Sequence, residues 1–173
     1  EQFDELQDLI LGADFSWHHN SMIDYAEDVD KFQFTHGFYT NHTPCSPHFY
    51  KLNPILEIIN PISLWRIKAN LLTITPNIVE NDFHIDIGGI SNEKLNQLTT
   101  AIFYLNTNNG YTEFQDGRIA MENTKVKSVA NRLVTFPAGL RHRGTSCTDE
   151  KTRVAINFVY FKSRDYVYEK RKH

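Results

Sequence analysis

The 173-residue chain has only two cysteines, Cys45 and Cys147, and they lack CxxC spacing. That argues against a zinc ribbon or a disulfide framework and makes a reducing compartment the default. No run approaches the ~18 consecutive apolar residues that a membrane-spanning helix needs, so no membrane association is expected. The first residues, EQFDELQDLILGADF, are acidic and carry neither a basic leader region nor a long apolar stretch. They do not read as a signal peptide, and the expected location is cytoplasmic. An excess of positive charge is also missing: the formal net charge is −3, and the one basic run, Lys170, Arg171 and Lys172, reads as a solvated tail. The chain therefore has no electrostatic footprint for nucleic acid or an anionic surface. Low-complexity tracts and internal repeats are missing too. What is present, 40% hydrophobic and 23% charged residues, is the composition of a folded globular protein, and the length suits a single domain over 1–173.

Within residues 3–11, Phe3, Leu6, Leu9 and Ile10 recur at helical spacing between acidic residues, which predicts an amphipathic helix. Residues 17–43 are rich in Asp, His, Asn and aromatics but weakly periodic. SPHFYKLNPILEIINP then predicts a helix that Pro54 makes irregular and Pro61 ends. Beyond it the pattern turns to short β runs: SLWRIKANLLTIT, DFHIDI, LTTAIFYLN, YTEFQ, KSVANRLVTFP, RHRGTS and RVAINFVYF, separated by Pro, Asn or Gly turns. At least six short strands without intervening helices predict an antiparallel sandwich or barrel, mainly β, with residues 1–60 as a helical and loop layer on a jelly roll.

One of these runs carries an anomaly. In FHIDI, residues 83–87, alternation places Phe83, Ile85 and Ile87 on one face and His84 and Asp86 on the other. Buried polar groups cost several kcal/mol unless satisfied, which leaves a His–Asp hydrogen bond, an exposed edge or a metal. A second histidine, His142, follows a Pro-Ala-Gly turn farther along. Two histidines and one carboxylate can occupy one face of an octahedron and leave three positions open, an arrangement suited to Fe(II). Arg153 opens the next strand. If it lies on a strand adjacent and antiparallel to that of His142, with GTSCTDEKT as the hairpin loop, its guanidinium can enter the same cavity and grip a carboxylate. Arg153, Ala155, Asn157 and Val159 share a face, and the small Ala155 leaves room for a ligand. Arg141 and Arg143 alternate away from His142 and read as rim or structural residues. His18, His19, His36, His42 and His48 are assigned to surface or substrate-loop positions.

Taken in order, HID at 84–86, FYLN at 103–106, GYTEF at 110–114, FPAGLRHRG at 136–144 and RVAINF at 153–158 resemble the Fe(II)/2-oxoglutarate-dependent dioxygenases, most closely the prolyl 4-hydroxylase-like group. The resemblance covers residues 62–162 and implies a double-stranded β-helix, the cupin-like jelly roll. It implies iron ligation by His84, Asp86 and His142, with 2-oxoglutarate and dioxygen as cosubstrates. It also implies cosubstrate contacts from Arg153 and Tyr104, and places Asn70, Thr100 and Asn157 as further candidates. Where relatives often have Gly-Gly-x-Thr, this chain has Gly110-Tyr111-Thr112. The implied activity is hydroxylation of a C–H bond, most closely of a prolyl, peptidyl or related small substrate, with release of succinate and CO2. Two rivals are a nucleic-acid oxidative demethylase on the same barrel, disfavoured by the charge, and a non-catalytic cupin-like module binding a metal or small anion. The sequence does not set the oligomeric state.

Overall fold

The computed structural model describes residues 1–23, 31–115 and 123–162; the basic tail at 170–172 lies outside them. The chain begins with α1 (Gln2–Leu11), whose apolar stripe buries Leu6 and Ile10. It stops at Gly12, where a Cβ would come within 2.7 Å of the Asp8 carbonyl oxygen. Three strands follow in the weakly periodic region: β1 (His18–Asn20), β2 (Gln33–Thr40) and β3 (Thr43–Pro44). They escape a periodicity reading because β1 and β3 are short and β2 interrupts its apolar residues with His36 and Gly37. His36, expected at the surface, is instead buried on β2 between the Ser16 carbonyl, 2.7 Å from Nδ1, and the Ser46 hydroxyl, 2.8 Å from Nε2.

The irregular helix resolves into a 3-10 turn over Phe49–Leu52 and α2 (Asn53–Ile59), with Pro54 in the first turn, where its missing N–H costs nothing. Asn60 adopts the left-handed conformation, φ 43°, as the C-terminal cap and hands the chain through Pro61 to β4 (Pro61–Thr73). The remaining elements are α3 (Asn92–Leu95), β5 (Leu98–Tyr104), β6 (Tyr111–Phe114), β7 (Thr124–Lys127), β8 (Arg132–Pro137), β9 (His142–Gly144) and β10 (Thr152–Lys162).

Two antiparallel sheets face each other as a double-stranded β-helix. The larger runs β1-β2-β4-β10-β5-β8 with β3 on β2, and the smaller β7-β6-β9. Helices α1 and α2 cover the outer face of the large sheet, where Leu6, Ile10, Leu52, Ile55 and Ile59 join Phe38, Ile67, Ala69, Phe103, Val154, Ile156 and Phe158. Each fully buried large apolar side chain contributes about 1.5–3 kcal/mol, so this layer dominates the core. The inner face presents the alternate residues. On the central strand β10, Arg153 pairs with Leu72, Ala155 with Asn70 and Tyr104, and Asn157 with Lys68 and Ile102.

The FHIDI stretch is not a ladder strand. Only two isolated bridges, Glu80 to Thr145 and His84 to His142, tie residues 80–84 to the small sheet. Side-chain contacts add to the attachment. Arg143 bridges the Glu80 carboxylate and the buried Glu113 carboxylate, 2.6 Å from Nη2, and its guanidinium lies over Phe83, 4.5 Å from the ring centroid. Arg141 donates to the Phe83 carbonyl at 2.6 Å. Both arginines thus have the structural roles that alternation assigned them.

Candidate active site

His84, Asp86 and His142 come together at one end of the space between the sheets. A ligand atom from each lies within 4.8 Å of those of the other two, and among the described residues this is the one cluster that could hold a metal ion. The backbone bridge between His84 and His142 fixes the approach of the two rings, whose centroids are 4.9 Å apart. Each imidazole is oriented by a main-chain carbonyl: His84 Nδ1 is 3.0 Å from the Asp82 oxygen and His142 Nδ1 3.1 Å from the Leu140 oxygen. A carbonyl only accepts, so the proton sits on Nδ1 and the lone pair on Nε2. Phe114 and Phe136 pack against His142 and hold its ring in place.

Asp86 Oδ2 is buried with no hydrogen-bond partner and lies 3.5 Å from His142 Nε2. A buried carboxylate oxygen left without a donor is costly. Two imidazole lone pairs and one such oxygen converging on a point are the donor set of a borderline-hard divalent ion, so the residues fit Fe(II).

From this cluster a cavity of about 90 Å³ leads inward. Its walls include Asn70, Leu72, Ile102, Thr112, Gly144, Ala155 and Asn157, and Arg153 enters it. Arg153 was expected beside His142 on an adjacent strand. It stands instead on β10 of the large sheet while His142 stands on β9 of the small one, so the two face each other across the barrel and residues 145–151 cross between sheets. Arg153 is buried. Nε donates to the Ser128 hydroxyl at 2.7 Å and Nη2 to the Thr112 hydroxyl at 3.1 Å, and among the described residues it makes no ion pair. Burial pulls its pKa below the ordinary arginine value. Two glycines make room for it. A Cβ on Gly110 would fall 2.7 Å from Arg153 Cδ, and one on Gly144 would fall 3.4 Å from Nη1.

The remaining sequence candidates divide. Asn70 lines the cavity, and its Oδ1 is buried without a partner. Tyr104 is not part of the wall: its hydroxyl donates to Thr112 at 2.8 Å and its ring lies 5.6 Å from the Arg153 guanidinium carbon. Burial raises its pKa. It acts on the cavity by fixing Thr112 and Arg153. Thr100 also stands outside the wall; it pairs with Val159 and Phe136, and its hydroxyl is buried without a partner. Asn157 is in the wall, but its amide donates to Asp86 Oδ1 at 3.2 Å. Sequence reasoning missed Ser128, which follows β7 with no periodic signal. It also missed Arg66, although positions 66, 68 and 70 share one face of β4 by alternation.

The family model of the 2OG-Fe(II) oxygenase superfamily matches residues 77–161. No curated protein sequence matches the chain. Similar solved structures include a 2OG-Fe(II) oxygenase-family oxidoreductase from Burkholderia pseudomallei (11% identity, TM-score 0.65), covering 94% of this chain and 78% of that one. A non-heme α-ketoglutarate-dependent epimerase of nogalamycin biosynthesis matches at 14% identity and TM-score 0.63, over 93% of this chain and 71% of its own. A Trichoplax adhaerens prolyl hydroxylase, solved with a hypoxia inducible factor oxygen degradation domain peptide fragment, matches at 14% identity and TM-score 0.55, over 93% and 75%. At these identities the structures show a shared fold. With the family model lying over the candidate metal cluster and the buried arginine, residues 77–161 belong to the 2OG-Fe(II) oxygenase superfamily, enzymes that use Fe(II), 2-oxoglutarate and dioxygen.

Proposed function

We propose that this oxygenase hydroxylates a C–H bond of a prolyl or other peptidyl substrate, with His84, Asp86 and His142 holding Fe(II) and Arg153 holding 2-oxoglutarate. One observation carries the site assignment. A buried guanidinium without an ion-pair partner among the described residues opens into the cavity that ends at the three-residue cluster. A buried cation needs an anion, and the guanidinium fork matches a carboxylate in two parallel hydrogen bonds. Thr112 and Ser128 hold that fork, and Tyr104 backs it. Leu72 and Ile102 give the walls an apolar surface that excludes water, and Ala155 leaves the width a larger side chain would fill. When bound, the iron supplies the oxidation: one oxygen atom of dioxygen goes to the substrate C–H bond and the other to succinate, as 2-oxoglutarate loses CO2.

A peptidyl substrate is supported by the likeness in fold to a prolyl hydroxylase solved with a peptide. The net charge of −3 gives no support to a nucleic-acid substrate. The test is a panel of proline-containing peptides, free amino acids and oligonucleotides, reading succinate release and gain of one oxygen atom by mass spectrometry. Stimulation by prolyl peptides is expected. Stimulation by oligonucleotides or free metabolites alone would overturn the substrate class. Metal binding without any 2-oxoglutarate consumption would favour a non-catalytic binding module.

A further inference from the structure

The three candidate ligands are not held alike. His84 and His142 are locked to each other by backbone hydrogen bonds of 2.9 and 3.0 Å. Asp86 lies beyond the last backbone bridge of its segment, at His84, so the sheet does not orient it. Side chains from the opposite sheet do so instead. Asn157 on β10 donates Nδ2 to Oδ1 at 3.2 Å, and Arg66 on the neighbouring β4 brings Nη2 to 3.5 Å from the same oxygen. The other oxygen, Oδ2, receives no hydrogen bond and faces His142 Nε2 at 3.5 Å. The Asp86 side chain is 6% exposed and that of Arg66 30%, so their attraction is partly shielded from water.

We propose that Arg66 and Asn157 are positioning residues that occupy Oδ1 of Asp86 and thereby present Oδ2 alone to the metal. The inference rests on the iron-site reading above and adds the two residues that set the carboxylate's rotation. It gives Asn157 a different task from the cosubstrate contact expected of it, and it assigns one to Arg66. Without both donors the carboxylate is free to turn about its last bond. It then offers either oxygen, or both, and the geometry at the metal becomes mixed. The Arg66 charge also opposes a dication. Arg66→Gln separates the two effects because it keeps an amide donor and removes the charge.

The probe is Mn(II) alone, titrated into the full chain without 2-oxoglutarate and followed by electron paramagnetic resonance. The signal of free Mn(II) gives the affinity, and the shape of the bound spectrum reports ligand symmetry. Asn157→Leu and Arg66→Met are each expected to weaken Mn(II) binding about tenfold or more and to broaden the bound spectrum, as changes to outer partners of metal ligands do. Because both act on one oxygen, the double variant should lose less than the product of the single losses. Arg66→Gln should recover the bound spectrum. Circular dichroism of the metal-free variants checks the fold, and if Arg66→Met fails it, the Gln variant and Asn157→Leu still decide. Wild-type affinity and spectrum in Asn157→Leu and both Arg66 variants would overturn the positioning roles. Failure of the wild-type chain itself to bind Mn(II) would overturn the metal site beneath them.

Discussion

Replacing Arg153 by methionine should separate stability from ligand binding in opposite directions. The guanidinium is buried and held by two hydroxyls, Ser128 at 2.7 Å and Thr112 at 3.1 Å, with no carboxylate paired to it among the described residues. Exchanging a buried charge for an apolar side chain of similar length removes a desolvation penalty of several kcal/mol, which offsets two lost hydrogen bonds from a charged donor at about 1.5–3 kcal/mol each. The ligand-free Arg153→Met protein should therefore melt within a few degrees of wild type. Its affinity for 2-oxoglutarate should fall by the worth of one partner in a buried charge pair, about 2–5 kcal/mol, or roughly 30-fold and upward. Differential scanning calorimetry with Mn(II) reads both quantities. At a ligand concentration of about 100 times the wild-type Kd, bound 2-oxoglutarate stabilises the wild type by about 2.7 kcal/mol, and a 30-fold weaker variant by about 0.9 kcal/mol. For a chain of this length these correspond to shifts of about 5–11 °C and under about 4 °C. A variant that is strongly destabilised alone yet keeps the full shift with 2-oxoglutarate would refute the reasoning, because Arg153 would then be a structural residue.

Gly110→Ala places a methyl group 2.7 Å from both Arg153 Cδ and the Ser146 carbonyl oxygen. It should cost about 1–3 kcal/mol in urea unfolding and weaken 2-oxoglutarate binding, whereas Gly88→Ala, which meets nothing within 4 Å, should do neither. Arg143→Ala removes one partner of the buried Glu113 and one anchor of residues 80–84, so stability should fall by about 1.5–3 kcal/mol in urea unfolding and Mn(II) affinity with it. Burial lowers the pKa of His36 below its ordinary value, so the unfolded chain binds the proton more readily than the folded one. Stability should fall as pH drops through the unfolded value of about 6.5 towards the lower folded value, and level off below it on this account. In His36→Asn, urea midpoints measured from pH 7.5 to 5 should lose that part of the slope.

The barrel was legible because period-two alternation and turn residues mark its inner strands, and the site because HID, the distal histidine and the later arginine keep their order and spacing. Less legible were the relations that only packing sets. The spacing from His142 to Arg153 suits a hairpin as well as a crossover, and the structure has the crossover. FHIDI alternates like a strand, yet it carries a single bridge, at His84, and the stretch before it is held by a second bridge and an Arg143 ion pair at Glu80 that no local pattern reveals. His36 sits in a polar, histidine-rich stretch that reads as surface, but Ser16 and Ser46 satisfy both ring nitrogens and allow burial. Asn157 shared the right face for the cavity. Its partner, Asp86, comes from a segment 71 residues away, and alternation says nothing about which group an amide will meet there.

The most direct test of the account is Fe(II)-dependent release of CO2 and succinate from 2-oxoglutarate by the wild-type chain beside Asp86→Ala and His142→Ala. The account predicts turnover that requires Fe(II) and dioxygen in the wild type and is lost in both variants, each of which removes one of three ligands. Turnover in either variant equal to the wild type would contradict it.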